Sequence, residues 1–224
     1  MIPWEEIDRA EIPGHEGEVT LRRRGAEFSI RTAETELMYS RHHGSAVALA
    51  ELACSRLKGK SGLRILIGGL GMGYTLAAAL EPSEPDTRIT VSELIPAVVR
   101  WNREHLGHLA GMPLDDPRVT VEEGDVAETI RKTKSSWNAI LLDVDNGPEG
   151  LTRKTNDRLY SRSGLKASFS ALRPGGILAV WSIGADEAFT RRLKRCGFRA
   201  ETVAAGAHKP GRGGRHTIWL AEKP

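Results

Sequence analysis

The chain is poor in cysteine, in long apolar runs and in net charge, and each scarcity excludes a class of protein. Its two cysteines, Cys54 and Cys196, lie far apart. They fit no metal-ligand or redox spacing, so each reads as a small buried side chain and no metal site is expected. No apolar stretch approaches the ~18 residues of a membrane span. The N-terminus, Met1-Ile-Pro-Trp-Glu-Glu6, lacks the basic and apolar regions of a secretory signal. A cytoplasmic protein without membrane contact is the expectation. A net charge of +3 is too small to point to nucleic acid. Basic residues gather only locally, at Arg22-Arg-Arg24, Arg191-Arg192 with Lys194-Arg195, and Lys209 to Arg215, where solvated faces and loop tips account for them. With 224 residues and 40% hydrophobic content, the chain can bury a full core, and it shows neither an internal repeat nor a linker that would split it.

What the chain does have is a strand–turn–helix signature. In Arg64-Ile-Leu-Ile-Gly-Gly-Leu-Gly-Met-Gly-Tyr74, an apolar run feeds a turn with glycines at 69, 71 and 73, and the next apolar run ends on Val91-Ser-Glu93. Such a turn brings backbone N–H groups close to a ligand, and a side chain at Gly69, Gly71 or Gly73 would block the approach. Glu93 stands twenty residues past Gly73, at the tip of the neighbouring strand, where it can accept hydrogen bonds from two ribose hydroxyls. A phosphate-binding loop is excluded, because Tyr74-Thr75 follows Gly73 in place of Lys-Ser/Thr. A dinucleotide fingerprint is disfavoured too, because bulky Tyr74 occupies the position of its third small residue.

Around this signature, strands and helices alternate. Hydrophobic patterning predicts strands at 63–68, 87–93, 118–122, 137–143, 176–182, 198–204 and 215–221. Helices are predicted near 73–81, 95–106, 126–132, 157–172 and 185–195. Crossover helices imply a parallel sheet covered on both faces. The last two strands are joined by a Gly-rich loop with no helix, so the final strand is expected to run antiparallel. Before the sheet, Glu18–Arg23, Ala26–Arg31 and Glu36–Ser40 alternate apolar and polar residues, a small antiparallel unit of about three strands. A helical stripe over Gly44 to Leu57 links the two. The expected organisation is an N-terminal β unit over 1–42 and a nucleoside-binding domain over 43–224.

In such a sheet the ligand lies outside the carboxyl ends of the strands. The third strand ends on Val121-Glu-Glu-Gly-Asp125 and the fourth on Ile140-Leu-Leu-Asp143-Val-Asp145. Glu93 and Asp125 each have a second reading as caps of the helices that follow. Four such tips in the right order favour binding. Asp143 has the weakest structural reading, since an isolated carboxylate ending a buried strand is costly without a cation or a hydrogen-bond donor.

The G-x-G-x-G spacing resembles motif I of class I methyltransferases, which bind S-adenosylmethionine. That resemblance implies a Rossmann-like seven-stranded sheet with its last strand antiparallel, and an acidic residue after the third strand, Asp125, that bonds the adenine amino group. Nearly the whole chain resembles a narrower family, the spermidine synthases. Ile67-Gly-Gly-Leu-Gly-Met-Gly73 is similar to the family's I-G-G-G-D-G-G, Val91-Ser-Glu-Leu-Ile-Pro-Ala-Val-Val99 to its V-E-x-D-x-x-V-V, and Leu142-Asp143 with Gly147-Pro148 and Leu159-Tyr160 to its D-S-T-D-P-x-G-P…L-Y. The resemblance implies that Asp143 orients and deprotonates an attacking amine, and the family's second acceptor-binding aspartate falls on Asp145 or Asn146; Asp145 is the candidate to assist. It also implies the loop Asn146 to Thr155 as a lid and a homodimer through the N-terminal unit.

Two departures direct the functional expectation. Gly71 stands where the family carries the aspartate that grips the amino group of decarboxylated S-adenosylmethionine. Tyr39-Ser-Arg-His-His-Gly-Ser45 replaces an acidic segment that seals the polyamine channel, putting Arg41, His42 and His43 where carboxylates are needed. The leading expectation is therefore methyl transfer from S-adenosylmethionine to an amine or hydroxyl of a small, non-polycationic acceptor. Aminopropyl transfer from the decarboxylated donor is the alternative, and a non-catalytic nucleoside-binding protein the second. Adjacent His42 and His43 without spaced partners are poor metal ligands. Met72 and Tyr74 stand near the expected nucleoside pocket. Nucleic-acid methylation is disfavoured, because Asn146-Gly-Pro-Glu149 lacks the Asn-Pro-Pro-aromatic pattern of that class.

Overall fold

A computed structural model describes residues 2–14, 16–144, 157–206 and 215–224. It contains two sheets. The first is an antiparallel meander of β1 (Glu5–Glu11), β2 (Glu18–Arg24), β3 (Glu27–Arg31) and β4 (Glu36–Tyr39). Three of these strands follow the alternation in the sequence. β1 escapes it because Glu-Glu-Ile-Asp-Arg-Ala-Glu carries only two apolar residues and its pairing with β2 slips between Glu6 and Asp8, which breaks the two-residue period.

Helix α1 (Gly44–Ser55) leads into the second sheet. Its elements are β5 (Arg64–Gly68), α2 (Tyr74–Leu80), β6 (Arg88–Glu93), α3 (Pro96–Trp101), β7 (Val119–Glu123), α4 (Val126–Lys132), β8 (Trp137–Leu142), α5 (Asp157–Tyr160), α6 (Arg162–Ala171), β9 (Leu172–Ser182), α7 (Glu187–Arg195), β10 (Arg199–Gly206) and β11 (Arg215–Glu222). The strand order is β7-β6-β5-β8-β9-β11-β10. Strand β11 runs antiparallel to both β9 and β10, and the other pairings are parallel. The order reverses between β5 and β8, which opens a crevice at their carboxyl ends. Antiparallel β11 begins at that same edge, since Thr217 pairs with Ser182 at the end of β9.

Central strands are buried on both faces and divide their side chains between two cores. Ile65, Ile67, Ala139, Leu141 and Ala179 face one, with α1, α2 and α3. Leu66, Ile140, Leu142, Leu178 and Val180 face the other, with α4, α6 and α7. The first core continues into the N-terminal sheet through Val19, Leu21, Phe28 and Ile30. At that junction the Trp101 indole N–H and the Arg100 guanidinium both donate to Asp8 of β1, at 2.7 and 2.6 Å. The N-terminal sheet is thereby held against α3, beside the crevice.

Candidate active site

The turn after β5 is shaped by its glycines. Gly69 (φ +87°) and Gly71 (φ +53°) both adopt left-handed backbone, which a side chain disfavours. A Cβ at Gly69 would collide with the Asp143 carbonyl, and one at Gly71 would strike the thioether of Met38 on β4. Gly73 caps α2 with φ +83°. The glycines thus let three segments meet.

Glu93, at the end of β6, is buried and locks this turn. Its Oε2 accepts from the Leu70 N–H at 2.7 Å, and its Oε1 from the Ile95 N–H at 2.9 Å. The neighbouring tips are laced in the same way. The Gly69 N–H donates to the Ser92 carbonyl at 2.9 Å, and the Gly124 N–H to the Glu93 carbonyl at 2.8 Å. Asp125 is exposed at the crevice and caps α4 through the Ala127 N–H at 2.8 Å. Capping and facing the crevice are compatible, because one Oδ carries the cap.

Asp143 follows β8, and its N–H donates to the Gly68 carbonyl at 3.0 Å. Its Oδ2 accepts from the Thr75 hydroxyl. Burial pushes this carboxyl above the ordinary carboxylate value, and the Thr75 bond pulls the other way. Asp145 and the expected lid, Asn146 to Thr155, lie outside the described residues, as does most of the loop from Lys209 to Arg215.

Glu93, Asp125, Asp143, Gly69 and Gly71 line one cavity of about 550 Å³. Gly73 does not line it; it packs against Pro113, Asn102 and Ala110. From the N-terminal sheet the cavity takes Glu36, Leu37, Met38 and Tyr39, and from the sheet's other side Trp181, Ile183 and His216. Its acidic lining is Glu36, Glu93, Asp125 and Asp143, and no lysine or arginine is among the described lining residues. Among the described residues no cluster of three or more His, Cys, Asp or Glu could hold a metal ion, and no helix is long and apolar enough to cross a membrane.

The segment that sequence reading took as charge-reversed is sorted by the structure. Arg41 donates to Glu27 at 2.8 Å and is 68% exposed, outside the cavity. His43 stacks on Tyr74 with ring centres 4.5 Å apart, and the Tyr74 hydroxyl donates to the Ser40 carbonyl at 2.8 Å. Only His42 of the three lines the cavity. Met72 is wholly buried in the core. Thr75, Ser45 and Trp181 were missed, and His216 was read only as the end of a solvated hairpin loop. Thr75 was within reach, as a hydroxyl just inside the helix after the glycine turn. Trp181 and His216 reach the crevice only through the pairing of β9 with β11, which no local pattern announces.

The fold is Rossmann-like, a seven-stranded sheet of the class I methyltransferase build with the cavity at its carboxyl edge. Residues 61–186 match the spermine/spermidine synthase domain, and the chain belongs to that family. Polyamine aminopropyltransferase 2 of Pseudomonas aeruginosa is 32% identical over 120 residues, covering 52% of this chain and 32% of that protein. The polyamine aminopropyltransferase of Korarchaeum cryptofilum is 26% identical over 121 residues, covering 54% and 36%. The matched stretch spans about a third of the length of these curated relatives. Among solved structures, spermidine synthase from Thermotoga maritima superposes with a TM-score of 0.77 at 18% identity, covering 98% of this chain and 73% of that one. A spermidine synthase bound to the transition-state analogue AdoDATO gives 0.76 at 17% identity, covering 98% and 72%. At such identities the likeness shows the fold.

These findings correct the leading expectation of methyl transfer to a non-polyamine acceptor. The curated relatives are polyamine aminopropyltransferases, and the alternative reading is the better supported one. The error has a physical source. Arg41 was counted as a cavity charge, yet its ion pair with Glu27 takes it to the surface.

Proposed function

We propose that this chain transfers the aminopropyl group of decarboxylated S-adenosylmethionine to an amine acceptor of the polyamine class. The observation that carries this reading is the acidic cavity, with no lysine or arginine among its described lining residues. The donor combines a sulfonium with an ammonium, and the acceptor is itself a cation. Carboxylates in a low-dielectric cleft attract both, whereas the carboxylated donor would find no basic side chain among those residues.

In this reading residues 1–42 roof the cleft and 43–224 bind the nucleoside. Glu93 accepts from the ribose hydroxyls while it holds the turn, since each carboxylate oxygen can accept more than one bond. Asp125 faces the adenine, and Gly69 and Gly71 bring the turn backbone against the nucleoside. Asp143, oriented by Thr75, holds the acceptor nitrogen in line behind the sulfonium-bound carbon, with Asp145 assisting. The nitrogen lone pair forms the N–C bond as the S–C pair returns to sulfur, and methylthioadenosine leaves. Met38 covers Gly71, so the donor's amine is left to the other carboxylates of the described cavity lining.

Calorimetric titration with decarboxylated and carboxylated S-adenosylmethionine, paired with a transfer assay on 1,4-diaminobutane, tests the proposal. Tighter binding of the decarboxylated donor and formation of the aminopropylated amine support it. Preference for the carboxylated donor without amine product overturns it.

A further inference from the structure

His216 lines the cavity from the side of β8 opposite the glycine turn. In the strand order β7-β6-β5-β8-β9-β11-β10, the tips that present Asp125, Glu93 and the glycine turn lie on one side of β8. His216 and Trp181, on β11 and β9, lie on the other and line the same cavity. The ring is held in place: its Nδ1 is 2.8 Å from the buried Ser45 Oγ at the start of α1, and its centre is 4.7 Å from that of Trp181. With Nδ1 engaged by Ser45, Nε2 is the remaining ring nitrogen.

We infer that His216 is the base that takes the proton released by the acceptor amine, with Asp143 orienting that amine and stabilising its developing charge. This rests on the aminopropyl-transfer reading. The acceptor nitrogen arrives as an ammonium, and His216 Nε2 takes one of its protons to free the lone pair. That pair forms the N–C bond as the S–C pair returns to sulfur, the sulfonium becomes a neutral thioether, the product nitrogen stays protonated as a secondary ammonium, and the imidazolium later releases its proton to solvent. A base works best when its pKa lies near the operating pH, which favours an imidazole over a carboxylate. Burial and the neighbouring His42 both hold the His216 pKa below the ordinary histidine value, so the ring is neutral and able to accept at neutral pH. Around the ring, Trp181 and Ser182 come from β9, Ala205 from β10 and Ser45 from α1; none of these titrates near neutral pH. His42 comes from the β4–α1 connection. Among the described lining residues, the other titratable groups are Glu36, Tyr39, Glu93, Asp125 and Asp143.

The test follows the His216 ring by NMR in the full chain, assigned by its loss in His216→Gln. Spectra from about pH 5 to 9 are taken with methylthioadenosine, with and without 1,4-diaminobutane. A diamine beside the ring lowers its titration midpoint by about half a unit or more, because the neighbouring ammonium disfavours imidazolium. An unmoved midpoint overturns the inference. In the transfer assay, His216→Gln lowers kcat by about 100-fold, removes the acidic limb of the pH profile in the imidazole range, and leaves methylthioadenosine affinity unchanged. Retention of that limb with near-normal kcat overturns the base role. If the wild-type chain forms no aminopropylated product while the diamine still moves the midpoint, the reaction assignment fails and the amine–imidazole contact stands.

Discussion

The carboxylate of Glu93 and the backbone of Leu70 are joined at 2.7 Å, and the same carboxylate takes the Ile95 N–H at 2.9 Å. One side chain therefore sets the glycine turn and the start of α3 relative to each other, in the position from which it would hold a ribose. Glu93→Ala leaves two backbone donors without their acceptor, a loss of about 1–3 kcal/mol per buried group. The expected result is a lowered Tm together with at least ~10-fold weaker methylthioadenosine binding by calorimetry. A loss of stability with unchanged affinity would confine Glu93 to a structural role.

Asp143 couples function to stability in the opposite direction. Burial raises its carboxyl above the unfolded value, so the folded chain favours the protonated form. This group's contribution to stability is greatest below the unfolded pKa of about 3.9 and declines as pH rises through the folded pKa. At neutral pH the ionised carboxylate is therefore a net cost. Asp143→Asn is expected to raise Tm at pH 7, by ~2–4 °C for each kcal/mol relieved at this chain length, while transfer falls by about 100-fold or more. The stabilisation shrinks as the pH approaches about 4. Thermal melts across pH decide, and a variant no more stable than wild type at pH 7 would contradict the burial cost.

Met38 and Gly71 are expected to behave as a pair. Gly71→Asp adds a side chain in left-handed backbone directly against the Met38 thioether, a destabilisation of about 1–2 kcal/mol. Met38→Ala in the same chain vacates the space the new carboxylate needs. A double-mutant cycle on urea unfolding should then show coupling of at least ~0.5 kcal/mol, and the double variant should bind the decarboxylated donor more tightly than either single change. Additive destabilisation would mean that the two positions do not share that space.

The junction between the sheets has its own pH signature. Trp101 and Arg100 hold the Asp8 carboxyl down to about 2, the indole hydrogen bond contributing most. A depressed carboxyl contributes stability above its unfolded pKa of 3.8 and loses it as pH falls towards 2. Asp8→Asn is expected to lower stability by about 1–2 kcal/mol at pH 7 by weakening the acceptor of the buried Trp101 N–H. The difference from wild type should close as the pH falls from about 4 towards 2. A gap that persists in acid would assign the effect to packing.

Much of the site was legible because its tips are local. The glycine turn, Glu93, Asp125 and Asp143 each end an apolar run, and a parallel sheet with helical crossovers carries such ends to one edge whatever the details of packing. The antiparallel last strand followed equally from the Gly-rich sequence between the last two apolar runs. Strand β1 was not legible, because two apolar residues and a slipped register leave no period to detect.

The succession of strands and helices, the antiparallel last strand and the residues at the strand tips were thus determined by the sequence itself, through patterns a few residues long. The tertiary structure alone decided the charge of the cleft. Arg41 is one residue from His42, yet it is drawn outward by Glu27, fourteen positions away, while His42 stays inside. His216 is brought to the cavity by β9 and fixed by Ser45, 171 positions away in the chain. Whether a charged side chain faces a ligand or the solvent depends on which partner it meets across the fold, and composition near it in the chain carries no record of that choice.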